Sequence, residues 1–174
     1  MALLAALCVA LPSTSADALP VLQRPEVREL FERQGVLSGV ELESRFEVYS
    51  EQYVLAIEVE ARLVLRIART MVYPAVMTYL DSLASSLRNQ EALGLQPDRS
   101  LANSLSSLSQ QLLSQCIALE QAIQHPPHDS HLRHCADTLL PLMGEIRASV
   151  DGLEPLIDDA AWPLPTYQEM LFMR

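Results

Sequence analysis

The four histidines of the chain, His125, His128, His131 and His134, all fall in one short stretch, and Cys135 follows the last of them. Imidazole nitrogen and thiolate sulfur are favoured ligands of zinc. On a helix His131 shares a face with Cys135 at a four-residue step and with His134 at three. A metal at this point would rest on His131, His134 and Cys135, because Pro126 and Pro127 splay the first two histidines apart. The spacing departs from zinc fingers and zincins, which set their ligands in two separated pairs or add a third element. Polar loop histidines with no resident metal are therefore the expectation. A phosphoryl-carrying His131 or His134 is the other chemistry such a tip could host, but a helical bundle confers no function by itself. The sequence offers no Gly-rich phosphate loop, nucleophile elbow or Ser-His-Asp arrangement, and with no lysine it has no lysine nucleophile. It assigns no catalytic or cofactor-binding residue.

The elements that must position this tip read as helices throughout. Only five glycines occur in 174 residues, Leu, Ala, Glu, Gln and Arg dominate, and apolar residues recur at threes and fours. Pro25 opens a short helix over Glu26 to Gln34, which Gly35 ends. Ser38 and Glu41 form a capping box. From there Leu42, Phe46, Tyr49, Tyr53, Ile57, Ala61, Val64, Ala68, Met71 and Ala75 make the buried stripe of a long spine helix, kinked at Pro74 and resuming toward Leu87. A second row, Val48, Leu55, Val59, Leu63 and Leu65, predicts a spine covered from more than one side. After a loop at Gly94 to Asp98, Leu101, Leu105, Leu108, Leu112, Cys116, Leu119 and Ile123 line a third helix. Leu132, Ala136, Leu139, Met143, Ile146, Val150, Leu153 and Ile157 line a fourth, bent by Pro141 and Pro155. The short Pro126-Pro127 connection folds the two into an antiparallel hairpin.

Two polar features bear on partners. Glu58, Arg62 and Arg66 stand four apart on one flank of the spine, either as a solvated face or as a charged ridge against a neighbouring subunit. The net charge is −10 and all twelve basic residues are scattered arginines, which excludes the cation clustering that nucleic acid requires. At the end of the chain Trp162, Pro163 and Pro165 form a stiff strap. Thr166 caps a last short helix through Glu169, and Tyr167, Leu171 and Phe172 lie on it. The tail reads as a docking element, with Trp162 on the flank of the spine and Leu171 and Phe172 covering surface beside it.

The strap and tail, together with Glu41-Leu42-Glu43-Ser44-Arg45-Phe46-Glu47-Val48-Tyr49 and Ile67-Ala68-Arg69-Thr70-Met71-Val72-Tyr73-Pro74-Ala75, resemble the C-terminal helical region of type III glutamine synthetases. Asp17-Ala18-Leu19-Pro20-Val21-Leu22 and Gly35-Val36-Leu37-Ser38 extend the resemblance in the same order. It implies an all-α fold: an elongated helical bundle with one long kinked spine, an antiparallel hairpin and a short C-terminal docking helix. In the complete family protein it implies a ligase that makes glutamine from glutamate, ammonia and ATP with Mg²⁺ or Mn²⁺ in ringed assemblies. The nucleotide, substrate and metal sites of the family lie in upstream domains that have no counterpart here. The resemblance therefore implies a truncated chain, inactive alone and architectural in role, whose partners are the catalytic domain or neighbouring subunits.

Residues 1–24 read as an apolar segment and linker, and 25–174 as the helical domain. Met1 to Leu11 is similar to the apolar core of a signal peptide, with Ala16-Asp17-Ala18 as a cleavage site, yet the first cation is Arg24 and the run is too short to span a membrane. Three cysteines, Cys8, Cys116 and Cys135, follow no paired spacing and predict reduced thiols in a cytoplasmic protein. The alternative is an independent helical interaction module, exported if residues 1–18 are a signal, that uses the hairpin or the histidine tip.

Overall fold

The computed structural model describes residues 14–127, 130–165 and 167–171, and among them every regular element is helical. A single turn, α1 (Ser15–Ala18), and a 3₁₀ segment (Leu19–Gln23) lead into α2 (Pro25–Arg33). Pro25 sits at the first position of α2, where its missing N–H costs nothing. Gly35 closes the helix at φ +60°, with its own N–H on Glu32 and the N–H of Val36 on Phe31, the paired bonds of a Schellman motif. The apolar N-terminal segment Met1 to Leu11, with Cys8, lies outside the described residues.

The spine begins at α3 (Gly39–Ile67). Ser38 caps it, its hydroxyl accepting from the Glu41 N–H at 3.3 Å while the Glu41 carboxylate accepts from the Ser38 N–H at 2.8 Å. The spine runs without a break through a π-helical turn, Ala68–Val72, into α4 (Tyr73–Ala92). At the 1.5 Å helical rise this is a rod roughly 80 Å long. The π turn explains how the helix passes Pro74: the Tyr73 N–H reaches five residues back to the Ala68 carbonyl, and the ladder widens just before the ring that an α-helix would exclude.

The extra residue also shifts the phase of the buried face, which corrects the predicted stripe. Ala61 and Ala68 are buried, but beyond them Val72 and Val76 turn inward, while Met71 remains 39% exposed. Tyr49 is exposed as well. The second apolar row is corrected too: only Leu65 packs on the core, whereas Val48, Leu55, Val59 and Leu63 are 45–64% exposed.

Gly94, at φ +79°, ends α4 with a second Schellman pair, and the Asp98 carboxylate accepts from the Ser100 N–H as α5 (Ser100–Gln124) begins. After Pro126 and Pro127 the chain returns through α6 (His131–His134), a π turn (Cys135–Leu139) and α7 (Leu140–Leu153). The device at Pro74 recurs at Pro141: the Leu140 N–H bonds to the Cys135 carbonyl five residues back. It again rotates the face, so that Cys135 is buried at 2% exposure and Ala136 is only half-buried. Hairpin pairing is antiparallel, since His134 meets Ala122 and Ser149 meets Gln115, the numbers rising on one helix as they fall on the other.

One core joins three helices. The spine contributes Ile57, Ala61, Ala68, Val72 and Val76; α5 contributes Leu105, Leu112, Cys116 and Leu119; the returning helix contributes Cys135, Leu139, Met143, Ile146 and Leu153. Ala16 and Leu42 are buried apart from it, where the N-terminal turns pack on the start of α3. Pro155 converts the end of the hairpin into a 3₁₀ turn, Glu154–Leu156, and another, Asp159–Ala161, delivers the strap. The final element is α8 (Tyr167–Leu171).

Candidate functional site

The histidine tip does not assemble into a ligand set among the described residues. His134 directs Nε2 at the Ala122 carbonyl, 2.9 Å away, and because a carbonyl can only accept, that nitrogen carries the proton. Cys135 points into the core, where burial first and Glu58 second push its thiol above the ordinary value, away from the thiolate a metal needs. His131 is exposed, lining a groove of about 420 Å³ with Glu51, Val54, Leu55, Glu58 and Leu132. His125 is exposed, its Nδ1 3.2 Å from the Gln121 carbonyl. His128, and the helix start expected near Asp129, lie outside the described residues. The three candidates do not converge: His134 turns to the Ala122 carbonyl, Cys135 is taken into the core and His131 is exposed. Cys116 is likewise buried, and its thiol is raised by that burial.

The spine presents a more organised surface. At 100° per residue Val48, Leu55, Val59 and Leu63 fall within about 80° of arc, opposite the buried Ile57 and Ala61. Those angles were the available signal that the second row faces outward; counting apolar residues missed it. Glu58 and Arg62 pair at 3.5 Å across one turn, beside this stripe. Arg66 makes no ion pair to a described residue. Next to it, Arg69 in the π turn bonds Glu120 of α5 at 2.7 Å, and that guanidinium holds the Glu120 carboxyl below the usual carboxylate range. Arg62, Arg66 and Arg69 form one wall of a groove of about 340 Å³ floored by Leu65 and Ile123. Three cations thus converge on a chain of net charge −10. At the other end of α3, Glu47 and Glu51 are exposed and lack an ion pair among the described residues. Glu43 is held at 3.0 Å by Arg28.

The buried side of the spine also holds polar groups that sequence reasoning missed. The Ser50 and Tyr53 hydroxyl oxygens are buried without a hydrogen-bond partner among the described residues. Burial, followed by the nearby Cys135 and Asp137, raises the Tyr53 phenol above its ordinary value. Their neighbourhood is where Arg133 of α6 bonds Asp17 at 2.6 Å and so ties the N-terminal turns to the hairpin tip.

In the strap, Trp162, Pro163 and Leu164 are half-buried, and Trp162 and Leu164 pack on the core. Pro165 is exposed. Beyond it the expected docking of the last helix differs: Met170 and Leu171 are 48% and 76% exposed, so α8 does not bury Leu171 in this chain. Tyr167 is the first residue of that helix. Thr166 and Phe172, to which a cap and an apolar anchor were assigned, lie outside the described residues. Of the tail, then, Trp162 and Leu164 pack on the core, while Met170 and Leu171 face solvent.

Comparison with known proteins bears on the whole chain. Residues 9–91 match the glutamine synthetase C-terminal domain. The chain is 32% identical over 177 aligned residues to the type-3 glutamine synthetase of Dictyostelium discoideum, an alignment covering 94% of this chain and 24% of that protein. It is 26% identical to a glutamine synthetase of Bacteroides fragilis, over 80% of this chain and 21% of the relative. With one from Butyrivibrio fibrisolvens the identity is also 26%, over 93% and 25%. The chain thus spans about a quarter of the length of the curated relatives it matches. No solved structure matches it.

Proposed function

From a chain related to the C-terminal helical region of type III glutamine synthetases, we propose an architectural part of a glutamine synthetase assembly, built to contact the catalytic region or neighbouring subunits and not to perform the chemistry itself. The observation that carries this reading is the outer face of the spine. Val48, Leu55, Val59 and Leu63 stand 45–64% exposed on a helix whose other side is fixed in the core. Contiguous apolar surface on a rigid element, edged by charge, is the usual mark of a contact made with other protein. The open helix Tyr167–Leu171, with Met170 and Leu171 toward solvent, offers a second such contact beside the anchored Trp162.

In the complete assembly, ATP and Mg²⁺ or Mn²⁺ would be held by residues outside this chain. The described helices are not long and apolar enough to cross a membrane, and the cytoplasm is the setting we assign. Incubation of the purified chain with glutamate, ammonia, ATP and Mg²⁺ tests the division of labour. The expected result is no glutamine; sustained ATP-dependent glutamine formation would place a catalytic site within these residues and overturn the reading.

A further inference from the structure

We propose that the outer face of the spine pairs with the same face of a second copy of this chain, the two helices running antiparallel about a two-fold axis near Leu55 and Val59. The proposal rests on the assembly reading in one respect, the use of the spine as a contact surface, and goes beyond it by naming the occupant.

The argument is charge order. Along one edge of the apolar stripe Glu47 and Glu51 come first and Arg62 follows, while Arg66 stands within the stripe toward the same end. An isologous contact brings a patch against itself, and when two helices pack antiparallel the same edge of each meets its counterpart in reverse order. With the axis near residues 55 to 59, Val48 lies across from Leu63 of the second copy. Glu47 and Glu51 then lie across from its Arg66 and Arg62. In a parallel pair this edge would lie across from the opposite edge of the second spine, and these Glu–Arg contacts would not form. Pairing states within the chain agree: Glu47, Glu51 and Arg66 have no intramolecular ion partner among the described residues, and Arg62 is held only loosely, 3.5 Å from Glu58. By contrast Glu43 and Arg69, farther from the axis, are tied to Arg28 and Glu120 at 3.0 and 2.7 Å. Glu47, Glu51 and Arg66 are thus available to the two-fold contact.

The shape also agrees. The stripe from Val48 to Leu63 is roughly 22 Å long at the helical rise. Along its Glu51–Arg62 edge two grooves open in succession, one at Val54, Leu55 and Leu132 and, farther along the spine, the Arg-lined one. Side chains from a second spine can seat in both.

Sedimentation equilibrium of the full chain in low salt tests the proposal. A reversible dimer with a dissociation constant of about 10 µM is expected, weakening at least tenfold in 1 M salt as the charge contacts are screened. The pair Arg62→Glu with Arg66→Glu, and separately Glu47→Arg with Glu51→Arg, should each weaken association at least tenfold with the helical circular dichroism unchanged. An equimolar mixture of the two doubly substituted chains should restore it. In a Cys8→Ser background, mixing Val48→Cys with Leu63→Cys chains should give a mixed disulfide dimer, while Val48→Cys alone gives none. A chain monomeric at 100 µM, a dimer indifferent to both charge reversals, or preferential Val48→Cys self-linking overturns the proposal. Failure here is separable from failure of the assembly reading: a chain that stays monomeric yet joins a catalytic region ends self-pairing alone, and a dimer that never joins one ends the other.

Discussion

The two π turns make a quantitative claim about which side chain fills the core beyond residue 68. A regular α-helix continuing the stripe of Leu42, Ile57, Ala61 and Ala68 puts Met71 inward; the π turn puts Val72 there instead, at 0% exposure, and leaves Met71 39% exposed. Val72→Ala deletes two methyl-sized groups from a fully enclosed site. Transfer alone is worth about 1.6 kcal/mol, and the unfilled space raises the loss to about 2.5 kcal/mol. Met71→Ala removes a larger side chain from a half-solvated site and gains slightly in helix propensity, so its loss should stay below about 0.7 kcal/mol. In urea, with a slope of about 2 kcal/mol/M for a chain of this size, Val72→Ala should lower the unfolding midpoint by about 1 M. Met71→Ala should lower it by no more than a third of that. Equal slopes for the three proteins would show that the comparison concerns stability alone. If Met71→Ala proves as damaging as Val72→Ala, the helix passes Pro74 without the extra residue and the phase argument is wrong.

Other outcomes follow from the same packing. Trp162, half-buried on the core, should emit to the blue of free indole, and Trp162→Ala should cost about 3 kcal/mol, with a melting temperature several degrees lower; unchanged stability and fully solvated emission would mean the strap is not docked. Glu120, Glu41 and Asp98 have folded pKa values below their ordinary ones, so they bind fewer protons folded than unfolded at acid pH. The stability they lend is present above the ordinary carboxylate range and lost as pH falls below it through their lowered folded values, and Glu120→Gln should flatten the acid limb of stability against pH. Zinc titrated into the reduced protein should bind no tighter than micromolar, because His134 is committed to the Ala122 carbonyl and Cys135 is interior; a nanomolar site lost in His131→Ala would contradict that placement. The native Cys116 and Cys135 thiols should react with a thiol reagent at least tenfold more slowly than after unfolding, and equal rates would show that neither is enclosed.

Much of the architecture was legible from local chemistry. Pro25 with Gly35, the box of Ser38 and Glu41, and the threes and fours of Leu105, Leu112, Cys116 and Leu119 each state a boundary or a face with short-range physics, and the structure follows them. Two of the misreadings share one cause. A π turn adds a residue through a tertiary compromise around Pro74 and Pro141, and nothing in a run of apolar letters announces it, so Met71 and Ala136 were set inward where Val72 and Cys135 are buried. Val48, Leu55, Val59 and Leu63 were misjudged for another reason: hydrophobicity was read as burial, although their angular positions already opposed Ile57. The histidine tip was legible as a cluster in sequence but not in space, because tertiary packing takes Cys135 into the core and turns His134 to the Ala122 carbonyl. Arg69 with Glu120, fifty-one positions apart, left no trace in sequence spacing.

The most direct test of the architectural role is co-assembly. A type III glutamine synthetase polypeptide lacking the segment that matches this chain is mixed with the purified chain and resolved by native mass spectrometry. The account predicts complexes in which the chain joins the catalytic subunits at a fixed ratio, and loses that ability when Leu55→Glu and Val59→Glu break the outer face of the spine. Catalytic subunits that assemble and make glutamine equally well while leaving the chain unbound would contradict it.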